Sequence, residues 1–156
     1  GKDRNGPVKI IPAGYGPYEH LTYFYDNGTR VTEQEFDGGK QGVKIYGENG
    51  EWIQVCRGEF LASDPKFMPE TKKKESDVPY ETQVGHYQPF INSIRSRIDP
   101  NVPVEVGHSS NTMCILGNIA NELGRPVVWN PIVEKFMHDP EADKLTHYQY
   151  RDGYKL

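Results

Sequence analysis

Histidine is the side chain best suited to proton transfer near neutral pH, and this chain has five. His108 follows Gly107 just before a segment with helical periodicity, where backbone amides and the helix dipole could favour an anionic or polyol ligand. We favour the simpler interpretation, in which His108 belongs to the helix cap and its turn. His86 stands at the start of an earlier helical segment, and a surface or capping role is favoured there as well.

Two further histidines, His138 and His147, flank the run Asp139-Pro140-Glu141. Neither histidine has the spacing to other ligand-type residues that recurs in zinc sites. The sequence therefore predicts no metal ligands in this chain.

A pair of carboxylates, Glu33 and Glu35, could be considered as the acid and nucleophile of a glycosidase. They stand two residues apart on one strand face after a hairpin turn, which is typical of a solvated surface. A catalytic acid also needs burial, and no neighbouring residues indicate it. We therefore predict no catalytic pair here.

Aromatic residues are concentrated in the first third of the chain. Two interpretations are equally open: the rings stack on a sugar, or they cover a sheet face that pairs with another subunit. The tyrosines concerned are Tyr15, Tyr18, Tyr23, Tyr25 and Tyr46.

Composition sets limits on the class of protein. With 156 residues, 35% of them hydrophobic, and a formal charge of −4, the chain has the profile of one soluble globular domain. The basic run Lys72-Lys73-Lys74 has acidic neighbours, which argues against nucleic-acid binding. No apolar run is long enough to span a bilayer.

Cys56 and Cys114 are predicted to be buried free thiols. The polar N-terminus does not resemble a signal peptide, so the compartment, cytoplasmic or periplasmic, stays open.

The first half of the chain has the pattern of antiparallel strands within residues 7–62. Residues 8–13 and 21–25 are rich in strand-forming side chains, and Asp26-Asn27-Gly28 supplies a tight turn before a strand at 29–36. This pattern predicts a β-hairpin.

A second hairpin is predicted from residues 42–47 and 51–56, which flank Glu48-Asn49-Gly50. Its apolar residues recur two apart, so they share one face of the sheet and are predicted to be buried. They are Val43, Ile45, Ile53 and Val55.

The second half of the chain is predicted to be helical, after a surface crossover at 65–83. One helix is expected at about 86–98, where Pro89 must lie in the first turn, and a second at about 108–123. Ser109 or Ser110 is the expected cap, and Gly124 the left-handed stop. The apolar stripe of the second helix is Met113, Leu116, Ala120 and Leu123, and Gly117 permits close approach to a neighbour.

These elements predict one α+β domain over residues 1–156, with an open, mainly antiparallel sheet and helices packed on one face. The other sheet face would remain uncovered.

Several blocks of this chain, in this order, resemble the C-terminal domain of the Gfo/Idh/MocA oxidoreductases. They are residues 89–97, 104–125 and 129–131, followed by Phe136, Asp139 and Glu141-Ala142. Residues 42–58 are similar to the sheet hairpin of the bacterial branch with a long C-terminal domain. Asp64-Pro65 and the tail 150–156 also resemble that branch. The resemblance covers nearly the whole chain.

The resemblance implies an N-terminal Rossmann domain that holds NAD or NADP and lies upstream of Gly1. Family chemistry uses a lysine in a Glu-Lys-Pro motif and an aspartate and histidine on a helix before the first strand. None is present here: Glu134-Lys135 precedes Phe136, and Gly14-Tyr15-Gly16-Pro17 lacks the third glycine of a dinucleotide fingerprint. No catalytic, cofactor-binding or metal residue is therefore predicted in this chain.

The resemblance thus predicts the substrate-side domain of an NAD(P)-dependent sugar or polyol oxidoreductase, inactive without its Rossmann domain. The alternatives are a module that forms homo-oligomers through the open sheet face, and part of a family relative that uses NAD to hydrolyse glycosides.

Overall fold

The computed structural model describes residues 6–35, 41–56, 58–68, 87–100, 102–148 and 150–153. The chain divides into two compact units. The larger unit comprises Gly1–Gln34 and Val84–Leu156, and the smaller unit comprises Glu35–Gln83. Both contain antiparallel sheet, and the larger one also contains α-helices, so the predicted α+β class is confirmed. The single predicted sheet is instead two sheets.

Within the described residues, six strands come first, followed by two α-helices, two more strands and a short third α-helix. They are β1 (Lys9–Ile11), β2 (Thr22–Phe24), β3 (Arg30–Thr32), β4 (Gly42–Tyr46), β5 (Trp52–Cys56), β6 (Glu59–Ala62), α1 (Tyr87–Ser96), α2 (Val104–Leu123), β7 (Val127–Asn130), β8 (Lys135–Phe136) and α3 (Pro140–Lys144). A short 3-10 helix at Pro65–Phe67 is capped by the Asp64 carboxylate.

The larger unit has a five-stranded antiparallel sheet in the order β3-β2-β1-β7-β8. Its first hairpin is the predicted one: Tyr23 pairs with Val31, and the Gly28 φ of +85° supplies the left-handed turn position. The turn closes through a hydrogen bond of 2.9 Å from the Tyr25 amide to the Thr29 carbonyl.

The hydrophobic core lies between this sheet and α2. Gly117 makes the close packing of α2 possible, because a Cβ there would run into the Tyr23 hydroxyl and lie 2.8 Å from Leu21 Cδ2. The close approach predicted for Gly117 is thus confirmed. The buried core residues include Ile10, Tyr23, Leu116, Val127, Trp129 and Phe136.

Helix α2 begins at Val104, four residues before the predicted start. The predicted cap at Ser109 or Ser110 is wrong: Pro103 occupies the N-cap position and no side chain caps the helix. Ser110 lies inside the helix, where its hydroxyl donates to the Val106 carbonyl at 2.8 Å. At the other end Gly124 has a φ of +62°, as its predicted stop requires.

Helix α1 lies within the predicted range 86–98, and Pro89 is in its first turn. No residue of α1 is buried, so its apolar stripe, including Phe90 and Ile94, remains exposed. The expectation that both helices bury a stripe on the sheet is met by α2 and not by α1.

The smaller unit has a three-stranded sheet in the order β4-β5-β6, and the predicted hairpin is present, with Val43 opposite Val55 and Ile45 opposite Ile53. The predicted burial of this face is wrong. Val43, Ile45 and Val55 are 59%, 55% and 45% exposed, whereas Gln54 on the opposite face is buried. Period-two alternation groups side chains on one face, but a covering layer is needed to bury them.

Two other expectations concern the surface. Cys114 is exposed and Cys56 is half-buried, so the prediction of buried thiols is wrong. The crossover predicted at 65–83 is described only as far as Met68. The run Lys72–Lys74 and His86 also lie outside the described residues. Within the described ranges, no helix has the length and apolarity needed to cross a membrane.

Candidate functional site

A cavity of about 500 Å³ opens in the larger unit, beside the N-terminal half of α2. One wall is a face of that helix carrying Glu105, His108 and Thr112, at helical spacings of three and four. The opposite wall is formed by Trp129 and the turn 131–134, which connects β7 to β8. The site thus combines titratable, hydroxyl and aromatic groups in one concave surface.

The turn that forms this wall is held by the last residue of β7. The Asn130 carboxamide oxygen accepts hydrogen bonds from the amides of Ile132 at 2.9 Å and Val133 at 3.3 Å. Glu134 then adopts a left-handed backbone, with a φ of +52°, before β8 begins. This conformation returns the chain toward β7 and directs Glu134 at α2.

The position of Trp129 in the second wall is fixed by aromatic packing. Trp129 is buried and meets Phe136 edge-to-face, with ring centroids 4.9 Å apart. The Phe136 amide donates to the Asp143 carboxylate at 2.9 Å, which holds β8 on α3. The cavity therefore rests on the rigid core of the larger unit.

His108, on the helix wall, and Glu134, on the turn wall, are in hydrogen-bond contact, with 2.6 Å between Nε2 and Oε1. More than half of each side chain is exposed, so the pair remains accessible to a ligand. If Nε2 donates to the carboxylate, Nδ1 of the neutral ring becomes a hydrogen-bond acceptor. The favoured interpretation of His108 as a cap residue is wrong, because the helix begins four residues earlier.

The other described candidate histidines and the glutamate pair do not line the cavity. His138 and His147 are exposed, and no group of three or more His, Cys, Asp or Glu suited to a metal ion occurs among the residues that the structure describes. Glu33 and Glu35 are both exposed, as expected of a solvated face.

The five tyrosines do not share a surface. Tyr23 is buried in the core, where burial raises the pKa of its phenol to about 12, and it cannot stack on a ligand. Burial also raises the pKa of Tyr25, whose hydroxyl donates to the Met113 sulfur at 3.3 Å. Tyr15 is exposed in the larger unit, and Tyr46 is exposed in the smaller unit. A sugar site lined by all five is therefore excluded.

An ion-pair cluster that the sequence did not reveal links the end of α2 to α3. The Arg125 guanidinium binds both Asp139 oxygens, at 2.6 and 2.9 Å, and Glu141 at 2.8 Å. The hydrogen bonds from Arg125 lower the pKa of Asp139 and raise that of Arg125. Asp139 also caps α3 through the Ala142 amide, so the cluster ties the end of α2 to α3.

Sequence reasoning missed Glu105 and Glu134 as site residues. Glu105 was missed because the helix was expected to begin at 108, and Pro103 was the available signal for an earlier start. Glu134 reaches the site only through the turn that Asn130 holds, and Asn130-Pro131 was the signal for that turn.

The elements that form the cavity, α2 and the end of β7, are among those that carry the family resemblance. A family model described as the C-terminal alpha/beta domain of an oxidoreductase family, the Gfo/Idh/MocA group, matches residues 1–156. The chain belongs to this family. Neither the curated proteins nor the solved structures provide a match to it. The resemblance predicted from the sequence is thus confirmed, and this Gfo/Idh/MocA C-terminal domain carries its cavity within the matched residues.

Proposed function

We propose that this chain is the substrate-side domain of an NAD(P)-dependent oxidoreductase that acts on sugars or polyols and works with a separate Rossmann domain. The observation that carries the proposal is the match of the oxidoreductase C-terminal domain model across residues 1–156. The cavity beside α2 is suited to such a substrate, because carboxylate, imidazole and hydroxyl groups can all hydrogen-bond to hydroxyls.

The division of labour follows from the geometry of hydride transfer. The nicotinamide, the carbon that loses hydride and a proton acceptor must lie within a few ångström of one another. When bound, NAD or NADP supplies the hydride acceptor. The sequence has neither a Gly-x-Gly-x-x-Gly fingerprint nor a Glu-Lys-Pro motif, so its residues bind and orient the substrate.

Cofactor affinity tests this division directly. We expect no saturable change in NADH or NADPH fluorescence when the chain alone is titrated into either cofactor. The same titration of the chain joined to a Rossmann domain provides the positive control. Saturable micromolar binding by the chain alone would contradict the proposal.

If the chain belonged instead to a family relative that hydrolyses glycosides, the reaction products would differ. Such a protein would release the leaving group of a nitrophenyl glycoside with no net accumulation of reduced cofactor, since its NAD is regenerated in each cycle. An oxidoreductase accumulates reduced cofactor with a polyol and leaves the glycoside intact.

Self-association through the β4–β6 sheet is a second function, favoured by the exposed apolar face that includes Val43, Ile45 and Val55. Ile45→Lys would place a charge in the middle of such an interface and is expected to shift a homo-oligomer toward monomer in size-exclusion chromatography with light scattering. Asn49→Lys, in the turn of the same hairpin, adds the same charge off the face and is the matched control. A wild-type chain that stays monomeric at high concentration would contradict this second function.

A further inference from the structure

We propose that the cavity beside α2 selects polyhydroxylated ligands that are uncharged or cationic and rejects anionic ones such as sugar acids and sugar phosphates. The inference rests on the proposed function for the polyol nature of the ligand. The charge selectivity rests on the residues of the cavity itself.

Two carboxylates line the cavity from opposite walls. Glu105 lies in the first turn of α2, and Glu134 lies on the turn after β7. Among the described residues that line the cavity, none is a lysine or arginine. An anion that entered would lose water contacts without gaining a cationic partner, which is unfavourable in a partly enclosed site.

The helix dipole does not restore anion binding. The amides at the start of α2 carry partial positive charge, but Glu105 in that same turn offsets it. His108, the one lining side chain that can become cationic, is already paired with Glu134 at 2.6 Å. Of the two ligand classes that a helix start can favour, an anion and a polyol, the residues here fit the polyol.

Hydroxyl groups suit this lining well. The Glu105 and Glu134 carboxylates accept hydrogen bonds from ligand hydroxyls, and Thr112 can both donate and accept. The exposed side chains of Ile132 and Val133 offer an apolar surface for the C–H face of a ring. A protonated amine on the ligand would gain a charged hydrogen bond to a carboxylate, so aminopolyols are expected to bind more tightly than neutral ones.

Saturation-transfer NMR with the 156-residue chain and millimolar probes tests this selectivity. The probes are myo-inositol, glucosamine, gluconate and glucose 6-phosphate. We expect binding of the first two, with glucosamine the tighter, and at least about tenfold weaker binding of the two anions. Failure of myo-inositol to bind, or gluconate binding as strong as that of myo-inositol, would overturn the inference.

A double variant, Glu105→Gln with Glu134→Gln, removes both charges and keeps the side-chain shapes. It is expected to reduce the preference for glucosamine over gluconate by about tenfold or more. Glu122→Gln, near the far end of the same helix and outside the cavity, is the matched control and should keep the wild-type ranking. A ranking that the double variant leaves unchanged, with its fold intact by circular dichroism, would also overturn the inference.

The measurement separates this inference from the proposed function, because it uses no nicotinamide cofactor. Absence of NAD-dependent turnover by the chain joined to a Rossmann domain, together with the expected charge ranking, would remove the oxidoreductase proposal and leave the ligand class in place. Turnover of a polyol by that joined form without the charge ranking would remove the inference on ligand class and leave the oxidoreductase proposal in place.

Discussion

The two sheets of this chain contain similar strand patterns and differ in what covers them. In the larger unit, α2 packs on the sheet and buries Leu116, Ile10 and Tyr23. In the smaller unit, the apolar face with Ile45 and Val55 is exposed, and the only buried residue among those described is Gln54. An apolar, alternating strand thus defines a face, and the rest of the molecule decides whether that face becomes core or surface.

The two units also differ in the kind of binding surface that they offer. The cavity is built on Trp129, which belongs to the covered core, and on the N-terminal half of α2. The described residues of the exposed face of the smaller unit include the apolar side chains of Val43, Ile45 and Val55, which are suited to contact with another surface. Chemistry and association are therefore expected in different parts of the chain.

The largest expected effect comes from emptying the covered core. Leu116→Ala, at a residue only 1% exposed, should lower the free energy of unfolding by about 2–5 kcal/mol through lost burial and a cavity. Ile45→Ala, on the exposed face, should cost less than about 1 kcal/mol. Urea unfolding of each variant, followed by circular dichroism, compares the two values. Equal losses would show that the exposed face is covered in solution.

A second prediction concerns Tyr23, whose pKa is raised to about 12 by burial. Because the folded pKa exceeds the unfolded value of about 10, the neutral phenol stabilises the fold fully below pH 10, and this contribution is lost as the pH rises toward 12. The loss is on the order of 2 kcal/mol. Unfolding measured between neutral and alkaline pH should show it in the wild type and not in Tyr23→Phe. Identical alkaline profiles would place the phenol in solvent.

The smallest expected effect concerns the ion-pair cluster of Arg125, Asp139 and Glu141. The Arg125 guanidinium lowers the pKa of Asp139, so the carboxylate stabilises the fold above its unfolded pKa, and this contribution is lost as the pH falls through the lower folded value. Asp139→Asn keeps a cap for α3 and removes the charge. The difference in melting temperature between wild type and variant should be largest at neutral pH and shrink in acid. A difference independent of pH would assign the effect to capping alone.

Local sequence rules predicted the parts of the fold that depend on neighbours in the chain. The turn residue Gly28, the helix stop at Gly124 and the close approach at Gly117 follow from backbone geometry and side-chain size. The cavity could not be predicted in this way, because His108 and Glu134 are 26 residues apart and meet only through the turn that Asn130 holds. The exposure of Val43 was also beyond local rules, since it depends on what packs against the strand.

The most direct test of the central claim compares turnover by two forms of the protein. Reduced-cofactor fluorescence would be followed with NAD or NADP and a panel of neutral polyols, using the chain alone and the chain joined to the Rossmann domain that we propose precedes it. The account predicts turnover by the joined form and none by the chain alone. Polyol-dependent reduction of NAD or NADP by the 156-residue chain alone would contradict it.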